Sequence, residues 1–275
     1  MDRILIAGAG YTGQRIANYF RSKNQKVWGI IRTTDRKSEL QKIGAVPMIA
    51  DLTRPETLSG IPPADFVVIS VAPNARDEAS YREVYLEGVG NLLKRIKETS
   101  APSLVVYLSS TGVHPDLNGE WIDETTEPKP DTERGKILLE AESQVLNSGL
   151  PSVVFRLAGI YGPERNRIQF VREGKWKAEK NDRYLNMIHV DDIVGAIPVL
   201  FKSAEAGKVY LGVDDKPVLE SEFIHWIAGE LNVPVSKNSS NSLIGGKRCR
   251  NTRLKSLGFT FRYPTFRDGY TAFLK

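Results

Sequence analysis

The chain has 275 residues, of which 41% are hydrophobic and 26% are charged. This composition predicts a globular protein with one large core, or one core with a smaller lobe, and it excludes disordered and collagen-like chains. No apolar stretch approaches the roughly 20 residues that cross a bilayer, and the N-terminal segment lacks a signal-peptide pattern. One cysteine and three histidines offer neither an internal disulfide nor a metal-ligand spacing. We therefore expect a cytoplasmic protein that binds neither a membrane nor a metal.

The net charge of +5 is unevenly distributed along the chain. Residues 246–275 contain eight lysines and arginines against one acid, Asp268, so this tail carries +7 and the rest of the chain −2. Such a tail can face a phosphate-bearing substrate or a nucleic acid. A solvated basic face is the favoured interpretation, because no nucleic-acid motif accompanies the charge.

The first half of the chain alternates short β-branched runs with longer amphipathic stretches, which predicts βαβ units. Because the runs are apolar at nearly every residue, both faces of the strands are expected to be covered in a parallel, doubly wound sheet. The predicted strands are RILIAG, KVWGII, VPMIA, DFVVIS and SLVVYLSS, with SVVFRLAGIYG as a sixth.

Two long helices are predicted between these strands. The first carries a stripe of apolar residues at three- or four-residue spacing between Tyr81 and Ile96. The second begins near Asp131 and is closed by Gly149 and Pro151.

Beyond residue 163 the alternation fades. Polar loops are predicted at GPERNRIQF and GKWKAEKNDRY, helices after HVDDIVGAI and around SEFIHWIAGEL, a strand at KVYLGV, and an exposed loop at SKNSSNSLIGGK. We interpret this half as a smaller lobe that is interleaved with the sheet, since no Pro/Gly/Ser-rich hinge separates the two.

The segment ILIAGAGYTGQRI places Gly8, Gly10 and Gly13 in the GxGxxG spacing, between the first strand and the first helix. The first glycine permits a tight turn, the second lets a pyrophosphate approach the backbone, and the third allows close packing of helix on strand. The helix N-terminus supplies amide groups and partial positive charge. This context predicts a dinucleotide site.

The end of the second strand predicts which dinucleotide binds. An NAD site calls for an acidic residue about 20 residues after the glycines, and Arg32 stands at that place, with Arg36 and Lys37 close behind. A cationic rim suits the 2′-phosphate of NADP, which we favour over NAD, although Asp35 offers a carboxylate to a ribose hydroxyl. Alternatively, Arg36 and Lys37 form the solvated face of the next helix.

Six motifs in order give the chain a family resemblance, namely GAGYTG, ADL, SVAP, LSSTGVH, RLAGIYGP and NMIHVDDIVGAI. Together they resemble the extended short-chain dehydrogenases/reductases, and more narrowly the atypical branch of the NAD(P)-dependent epimerase/dehydratase family. The resemblance implies a Rossmann-type α/β fold, with a dinucleotide-binding core at residues 1–162 and a smaller substrate-binding lobe at residues 163–275, in one structural unit.

The resemblance also assigns the site residues. It places Tyr11, Thr12, Asp51, Leu52, Val71 and Ala72 along the cofactor, Ser110 at the catalytic hydroxyl, Lys136 at the lysine that holds the nicotinamide ribose, and Thr111, Arg165, Asn166, Arg167, Asn186 and His189 in the substrate pocket. Simpler interpretations are a turn cap for Ser110, an exposed helical lysine for Lys136 and a structural histidine for His189.

The family's catalytic tyrosine, expected four residues before Lys136, is replaced by Thr132. A threonine hydroxyl is a far poorer proton donor than a phenol with a pKa of about 10, and a missing general acid costs about 10² to 10⁴ in rate. Tyr85, on the first long helix where asparagine is usual, is the best substitute. The alternative for Tyr85 is a core or dimer-interface aromatic in a helical stripe with Tyr81.

Two functions follow from these expectations. The first is an NADP-binding oxidoreductase or epimerase-like enzyme that acts on a small polar substrate, with nucleotide-linked compounds and sugars as candidates. The second is a catalytically silent sensor of NADP(H) that signals through a protein partner. The apolar stripes of the two long helices also suggest, by resemblance, a homodimer that associates through them.

Overall fold

The computed structural model describes residues 1–75, 77–175, 182–235 and 244–274. The strands are β1 (Arg3–Ala7), β2 (Lys26–Ile31), β3 (Val46–Ile49), β4 (Phe66–Ile69), β5 (Leu104–Ser110), β6 (Trp121–Ile122), β7 (Ser152–Leu157), β8 (Gly159–Tyr161), β9 (Asp182–Leu185), β10 (Met187–His189), β11 (Val209–Gly212), β12 (Val218–Leu219), β13 (Ile244–Gly246) and β14 (Arg248–Cys249). The helices are α1 (Tyr11–Ser22), α2 (Lys37–Lys42), α3 (Glu78–Arg82), α4 (Val89–Thr99), α5 (Glu133–Leu146), α6 (Ile168–Arg172), α7 (Val190–Ser203), α8 (Glu220–Leu231), α9 (Thr252–Ser256) and α10 (Phe266–Tyr270).

The central sheet of the described residues has seven strands in the order β11-β7-β5-β4-β1-β2-β3. β1 lies between β2 and β4 in parallel register, with Ile6 opposite both Gly29 and Val68. Its residues after Arg3 are buried, as are all six residues of β7. The prediction of a doubly wound parallel sheet is therefore confirmed, because the fully apolar runs are covered on both faces by helices.

The first long helix is interrupted. α3 and α4 are joined through a π-helical turn, Glu83–Gly88, so that residues 78–99 form one nearly continuous element with wider winding in the middle. At this turn Gly88 lies so close to Leu52 that an added Cβ would stand 3.1 Å from the leucine Cβ. A π turn inserts an extra residue into a helix and often accompanies a functional site.

The chain folds into two compact units that exchange segments. The first comprises Met1–Val113, Pro130–Arg156 and Val194–Tyr210, and the second comprises His114–Lys129, Leu157–Ile193 and Leu211–Lys275. The crossing nearest to the boundary expected at residue 162 falls between Arg156 and Leu157, and it is one of five. The second unit also takes the segment before α5, and the first unit takes most of α7.

The second unit is built from short elements around an aromatic core. Its small sheets are β10-β8, β12-β9-β13 and β14-β6. Its core is formed by Tyr161, Ile168, Val171, Met187, Val218, Phe223, Ile224, Ile227, Ala228, Phe266 and Tyr270.

Two loop predictions in this unit were wrong. The polar stretch that ends at residue 184 contains strand β9, and GPERNRIQF runs into helix α6, because pairing and burial in the folded unit override weak local patterns. The Ser/Asn-rich segment 236–243 lies outside the described residues, and β13 follows it directly. No helix among the described residues is long and apolar enough to span a membrane.

Candidate functional site

The glycine turn after β1 has the geometry that its sequence requires. Gly8 has φ +88°, and an added Cβ would stand 2.5 Å from the Ser70 carbonyl oxygen and 2.9 Å from the Val71 Cα. At Gly13 the added atom would stand 2.3 Å from the Gly8 carbonyl oxygen. Only glycine fits at these two positions, so the predicted residues Gly8, Gly13 and Val71 do come together at the carboxyl edge of β1 and β4.

α1 begins directly after the glycine turn. Gly10 is the N-cap residue, so no side chain caps the helix, and the first turn contains no acid. The first intrahelical bond runs from the Gln14 amide to the Gly10 carbonyl. The amides of Thr12 and Gly13 precede this first bond, and amides at such a position can bind a diphosphate. An added Cβ at Gly10 would approach the Arg36 guanidinium to 3.4 Å, so this cation also lies over the turn.

A pocket of about 400 Å³ opens beside the ends of β2 and β3. It is lined by Arg32, Thr33, Ile49, Ala50, Asp51, Arg54, Thr57 and Asn74. The Arg32 guanidinium donates a hydrogen bond to the Asn74 side-chain oxygen. Asp51 accepts hydrogen bonds from the backbone amide and the hydroxyl of Thr53, at 3.0 and 2.9 Å.

Arg54 and Asn74 line this pocket as well, and neither was predicted from the sequence. The sequence offered one hint of their role: Arg54 lies three residues after Asp51, and Asn74 lies two residues after Ala72, so both are next to motifs already identified. Within the part of the chain that the structure describes, no carboxylate lies within ion-pair distance of Arg32, Arg36 or Arg54, in contrast to many arginines elsewhere. These cations are therefore available to an anionic ligand, and the residues present fit a phosphorylated dinucleotide.

The other predicted cofactor residues surround this region. Leu52 is buried and packs against Gly88, while Val71 and Ala72 follow β4 by two and three residues. Thr12 is buried in the first turn of α1, and the Tyr11 ring lies 3.9 Å from the guanidinium carbon of Arg15.

Ser110 and Thr111 lie where β5 runs into a 3₁₀ turn, Thr111–Val113. The Ser110 hydroxyl oxygen accepts the Gly112 amide at 3.0 Å, which is the turn-capping contact anticipated as the simpler interpretation. The first turn of α5 packs on this turn, since an added Cβ at Gly135 would stand 3.0 Å from the Gly112 carbonyl oxygen. Ser110 is therefore fixed at the carboxyl end of the sheet, with α5 beside it.

Thr132 serves α5 as its N-cap residue, and its hydroxyl oxygen accepts the Gly135 amide at 3.1 Å. Lys136 lies on the solvent side of the first turn with its side chain 55% exposed, and its ammonium is 2.5 Å from the Glu133 carboxylate. The hydrogen bond to Glu133 raises the pKa of Lys136. For Lys136 to contact a nicotinamide ribose, as the resemblance implies, it would have to use another of its three ammonium donors or leave Glu133.

Tyr85 lies in the π turn, and its ring contacts that of Tyr81 at 5.3 Å between centroids. Burial, and secondarily Tyr81, raises the pKa of Tyr85 to about 12. A phenol whose pKa rises holds its proton more firmly and is a poorer general acid near neutrality. The packing of Tyr85 against the core of the first unit favours the structural role over the catalytic one.

A buried polar network joins α5 to the sheet. The Glu142 carboxylate accepts the Ser109 hydroxyl at 2.6 Å and the Arg156 Nη2 at 2.8 Å. Both partners of this ion pair are almost fully buried, so the pair fixes how α5 sits against β5 and β7. Sequence reasoning missed this pair, because charges at helix and strand positions do not reveal a buried partner.

Several predicted substrate residues of the second unit make structural contacts. The backbone of Arg165 pairs with Gly162, and the Asn166 side-chain oxygen accepts the Ile168 amide at the start of α6. Arg167 contributes to an ion pair with Glu220, at 3.4 Å.

Asn186 and His189 are similarly engaged. The Asn186 side chain donates to the Lys247 carbonyl at 2.7 Å and accepts the Cys249 amide at 2.8 Å, so it braces β14. The buried His189 accepts the Asp191 amide at Nδ1, and its ring is tilted against that of Tyr263, with 4.0 Å between centroids. Their assignment to the substrate remains a prediction.

The family follows from comparison with known proteins. The model of the NAD-dependent epimerase/dehydratase family matches residues 4–211, and this chain belongs to that family. A solved structure from Methylobacillus flagellatus, described as an NAD-dependent epimerase/dehydratase, superposes with a TM-score of 0.86 at 29% identity, covering 99% of this chain and 97% of that one.

Two curated relatives are also similar. Protein YeeZ of Escherichia coli K12 is 29% identical over 96% of this chain and 97% of its own length. The decarboxylating sterol-4-alpha-carboxylate 3-dehydrogenase of Dictyostelium discoideum is 24% identical over 80% of this chain and 73% of its own length. The resemblance found in the motifs is thus confirmed at the level of the family, and a dehydrogenase is among the relatives.

Proposed function

We propose that this chain binds NADP(H) and uses it in oxidoreductase or epimerase chemistry on a small polar substrate in the cytoplasm. The observation that carries the proposal is the pocket in which Arg32 and Arg54 both lie, without a carboxylate partner among the described residues. A pocket for the unphosphorylated ribose would present an acid in place of Arg32.

Each part of the proposed site has a role. The α1 amides hold the diphosphate, Arg36 adds charge over the turn, and Arg32 and Arg54 bind the 2′-phosphate. NADP(H), when bound, supplies the hydride chemistry, for which the protein provides orientation. Ser110 would orient the reacting oxygen, and Lys136 would hold the ribose after release from Glu133.

The state of the three candidate proton donors favours a second candidate function. Thr132 is used as a helix cap, Tyr85 has a raised pKa, and the ammonium of Lys136 is paired with Glu133. A chain with an intact dinucleotide site and no activated phenol beside Ser110 in the described residues can bind NADPH without turning over. This combination supports the sensor as the alternative to the enzyme.

Binding of NADPH and NADH by isothermal titration calorimetry tests the cofactor proposal. Charge-assisted hydrogen bonds contribute about 1.5 to 3 kcal/mol, so Arg32→Gln and Arg54→Gln should each weaken NADPH at least about tenfold. NADH affinity should change much less, because it lacks the 2′-phosphate.

Lys42→Gln is the matched control, since Lys42 is exposed at the end of α2 outside the pocket and its replacement removes the same charge. Equal losses for both dinucleotides in Arg32→Gln would refute the 2′-phosphate role. Failure of the wild-type chain to bind either dinucleotide would refute the site altogether.

Turnover separates the enzyme from the sensor. Substrate-dependent NADPH oxidation that is lost in Ser110→Ala and retained in Tyr85→Phe would support an enzyme that does not use the Tyr85 phenol. Tight binding without turnover across a panel of carbonyl compounds and nucleotide sugars would support the sensor.

We also propose a homodimer through the two long helices, and sedimentation of a monomer at micromolar concentration would contradict it.

A further inference from the structure

The second unit carries an exposed aromatic and basic surface, formed by Trp121, Tyr184, Arg248 and Arg250, which we call the guanidinium patch. β6 and β14 pair in parallel, with Arg248 opposite Trp121. Side chains alternate along a strand, so Arg248 and Arg250 point to the face opposite that of Cys249, which lies between them. Cys249 is buried, with 1% exposure, whereas Trp121, opposite Arg248, is 43% exposed. Arg248 and Arg250 therefore share one face of the pair with Trp121.

The two guanidiniums are held by the aromatic rings. The guanidinium carbon of Arg248 lies 4.8 Å from the centroid of Trp121 and 4.9 Å from that of Tyr184, and that of Arg250 lies 5.0 Å from Trp121. Cation–π contacts of this kind orient a guanidinium but leave its charge uncancelled. Arg248 is fixed further, because its Nε donates to the Gly119 carbonyl at 2.6 Å.

Gly119 shows that the local backbone is built around this arrangement. Its φ is +79°, and an added Cβ would stand 3.0 Å from the Tyr184 ring, so glycine permits both the turn and the close approach of the ring. The Gly119 and Leu117 amides both donate to the Gly246 carbonyl, and the Asp116 carboxylate accepts the Gly246 amide at 2.7 Å. Hydrogen bonds therefore join the two backbone segments beside the patch, residues 116–119 and Gly246.

Three of the other cations of the basic tail are paired with carboxylates within the unit. The pairs are Lys255 with Asp215 at 3.0 Å, Arg262 with Asp191 at 3.8 Å and Arg267 with Glu222 at 2.7 Å. The Lys247 ammonium donates to the His114 and Pro115 carbonyls. This pattern agrees with a structural use of the tail rather than a continuous basic surface for nucleic acid.

Arg248 and Arg250 differ from those cations. Among the residues described, neither has a carboxylate within ion-pair distance, although the charge of Arg250 contributes to the lowered pKa of Asp123. The Asp123 carboxylate is already bonded to the amide and hydroxyl of Thr125, at 2.8 and 2.6 Å. The positively charged guanidiniums of Arg248 and Arg250 are thus both held beside the Trp121 ring, and both keep unused N–H donors. An oxyanion between them would relieve their repulsion.

We propose that the guanidinium patch binds an oxyanion, the phosphate or carboxylate of a small substrate. Arg250 and Arg248 donate to the oxyanion, and Trp121 holds the two side chains in place. The site goes beyond the proposed cofactor function and does not depend on it, since every residue of the patch lies in the second unit.

The indole N–H resonance of Trp121 offers a local test in the full-length chain. Titration of the ¹⁵N-labelled protein with pyrophosphate and, separately, with malonate should shift this resonance saturably for at least one anion. The resonance is assigned by its disappearance in Trp121→Phe. A shift with pyrophosphate alone identifies a phosphate site, and a shift with malonate alone identifies a carboxylate site.

Arg250→Gln should weaken the anion at least about tenfold, the loss expected when a charged donor is removed. Lys255→Gln, which removes an equal charge from the same tail at a paired position, should change the affinity less than about twofold. An unmoved Trp121 resonance, or equal affinities in Arg250→Gln and the wild type, would overturn the proposal. Repeating the titration with excess NADPH separates the two sites, because anion binding at Trp121 would persist even if NADPH did not bind.

Discussion

At the scale of single residues, the hydroxyl of Thr132 is committed to the backbone of α5. Its oxygen accepts the Gly135 amide, one of the amides that a helix leaves without an internal partner. Replacement of a helix-capping residue lowers the free energy of unfolding, whereas replacement of a proton-transferring residue lowers the reaction rate. Thr132 therefore offers a direct separation of the two roles.

Thr132→Ala should lower the free energy of unfolding by about 0.5 to 2 kcal/mol, the range for loss of an N-cap. Thr132→Ser keeps the acceptor oxygen and should restore most of the loss. Chemical denaturation of the three proteins provides the measurement. If Thr132→Ala kept full stability but abolished turnover of a substrate, the cap interpretation would be wrong.

The residues that the sequence predicted well are those whose role depends on the local backbone. Gly8 and Gly13 can be identified from spacing alone, because the turn requires residues without a Cβ. The partners of Asn186, Lys247 and Cys249, could not be predicted, because the fold brings them together over about 60 residues of sequence. Arg54 was missed for the same reason, since only the packed loops bring it to the pocket of Arg32.

At the scale of elements, the contact between α1 and β1 rests on Gly13. An added methyl group would stand 2.3 Å from the Gly8 carbonyl oxygen, which belongs to the turn itself and cannot move aside without distorting it. The glycine thus determines both the packing of the helix and the shape of the cofactor turn.

Gly13→Ala should cost about 1 to 3 kcal/mol in stability, as overpacking does, and should weaken both dinucleotides together. Gly60→Ala is the control, because no atom lies within 4 Å of its added Cβ, and its effect should stay within about 0.5 kcal/mol. Thermal unfolding and calorimetry report the two quantities. Normal dinucleotide binding by a stable Gly13→Ala protein would contradict the geometry.

The strands of the first unit were predictable because they are continuous apolar runs, whereas the second unit contains strands too short to show a period. β6, β12 and β14 have two residues each and are defined by their partners. The π turn was also invisible in the sequence, since the apolar stripe from Tyr81 to Ile96 continues through it. Short elements are specified by tertiary contacts more than by their own residues.

At the scale of the whole molecule, a buried acid links stability to pH. Asp214 is 2% exposed and one of its carboxylate oxygens has no hydrogen-bond partner among the described residues. Burial raises the pKa of Asp214 well above its ordinary value, with the charges of Asp215, Asp192 and Asp268 acting in the same direction. The contribution of this carboxyl group to stability is therefore full at low pH and is lost as the pH rises through the raised pKa.

Asp214→Asn cannot lose a proton, so it should exceed the wild type in stability at about pH 8 by roughly 1 to 3 kcal/mol, the cost of an unsatisfied buried group. Near pH 4, where the wild-type carboxyl group is protonated in the folded chain, the two should be nearly equal. Denaturant titrations at the two pH values provide the comparison, with the exposed Asp35→Asn as control. A constant difference between Asp214→Asn and the wild type at both pH values would exclude this origin.

The exchange of segments between the two units constrains how such a chain can be divided or can evolve. A cut after residue 162 would remove Val194–Tyr210 from the first fragment and leave His114–Lys129 attached to the wrong one. Neither fragment would contain a whole unit, so joining two ancestral genes end to end could not have produced this arrangement. Growth of loops within an existing sheet protein could, and recombination between relatives would have to exchange several segments at once to remain foldable.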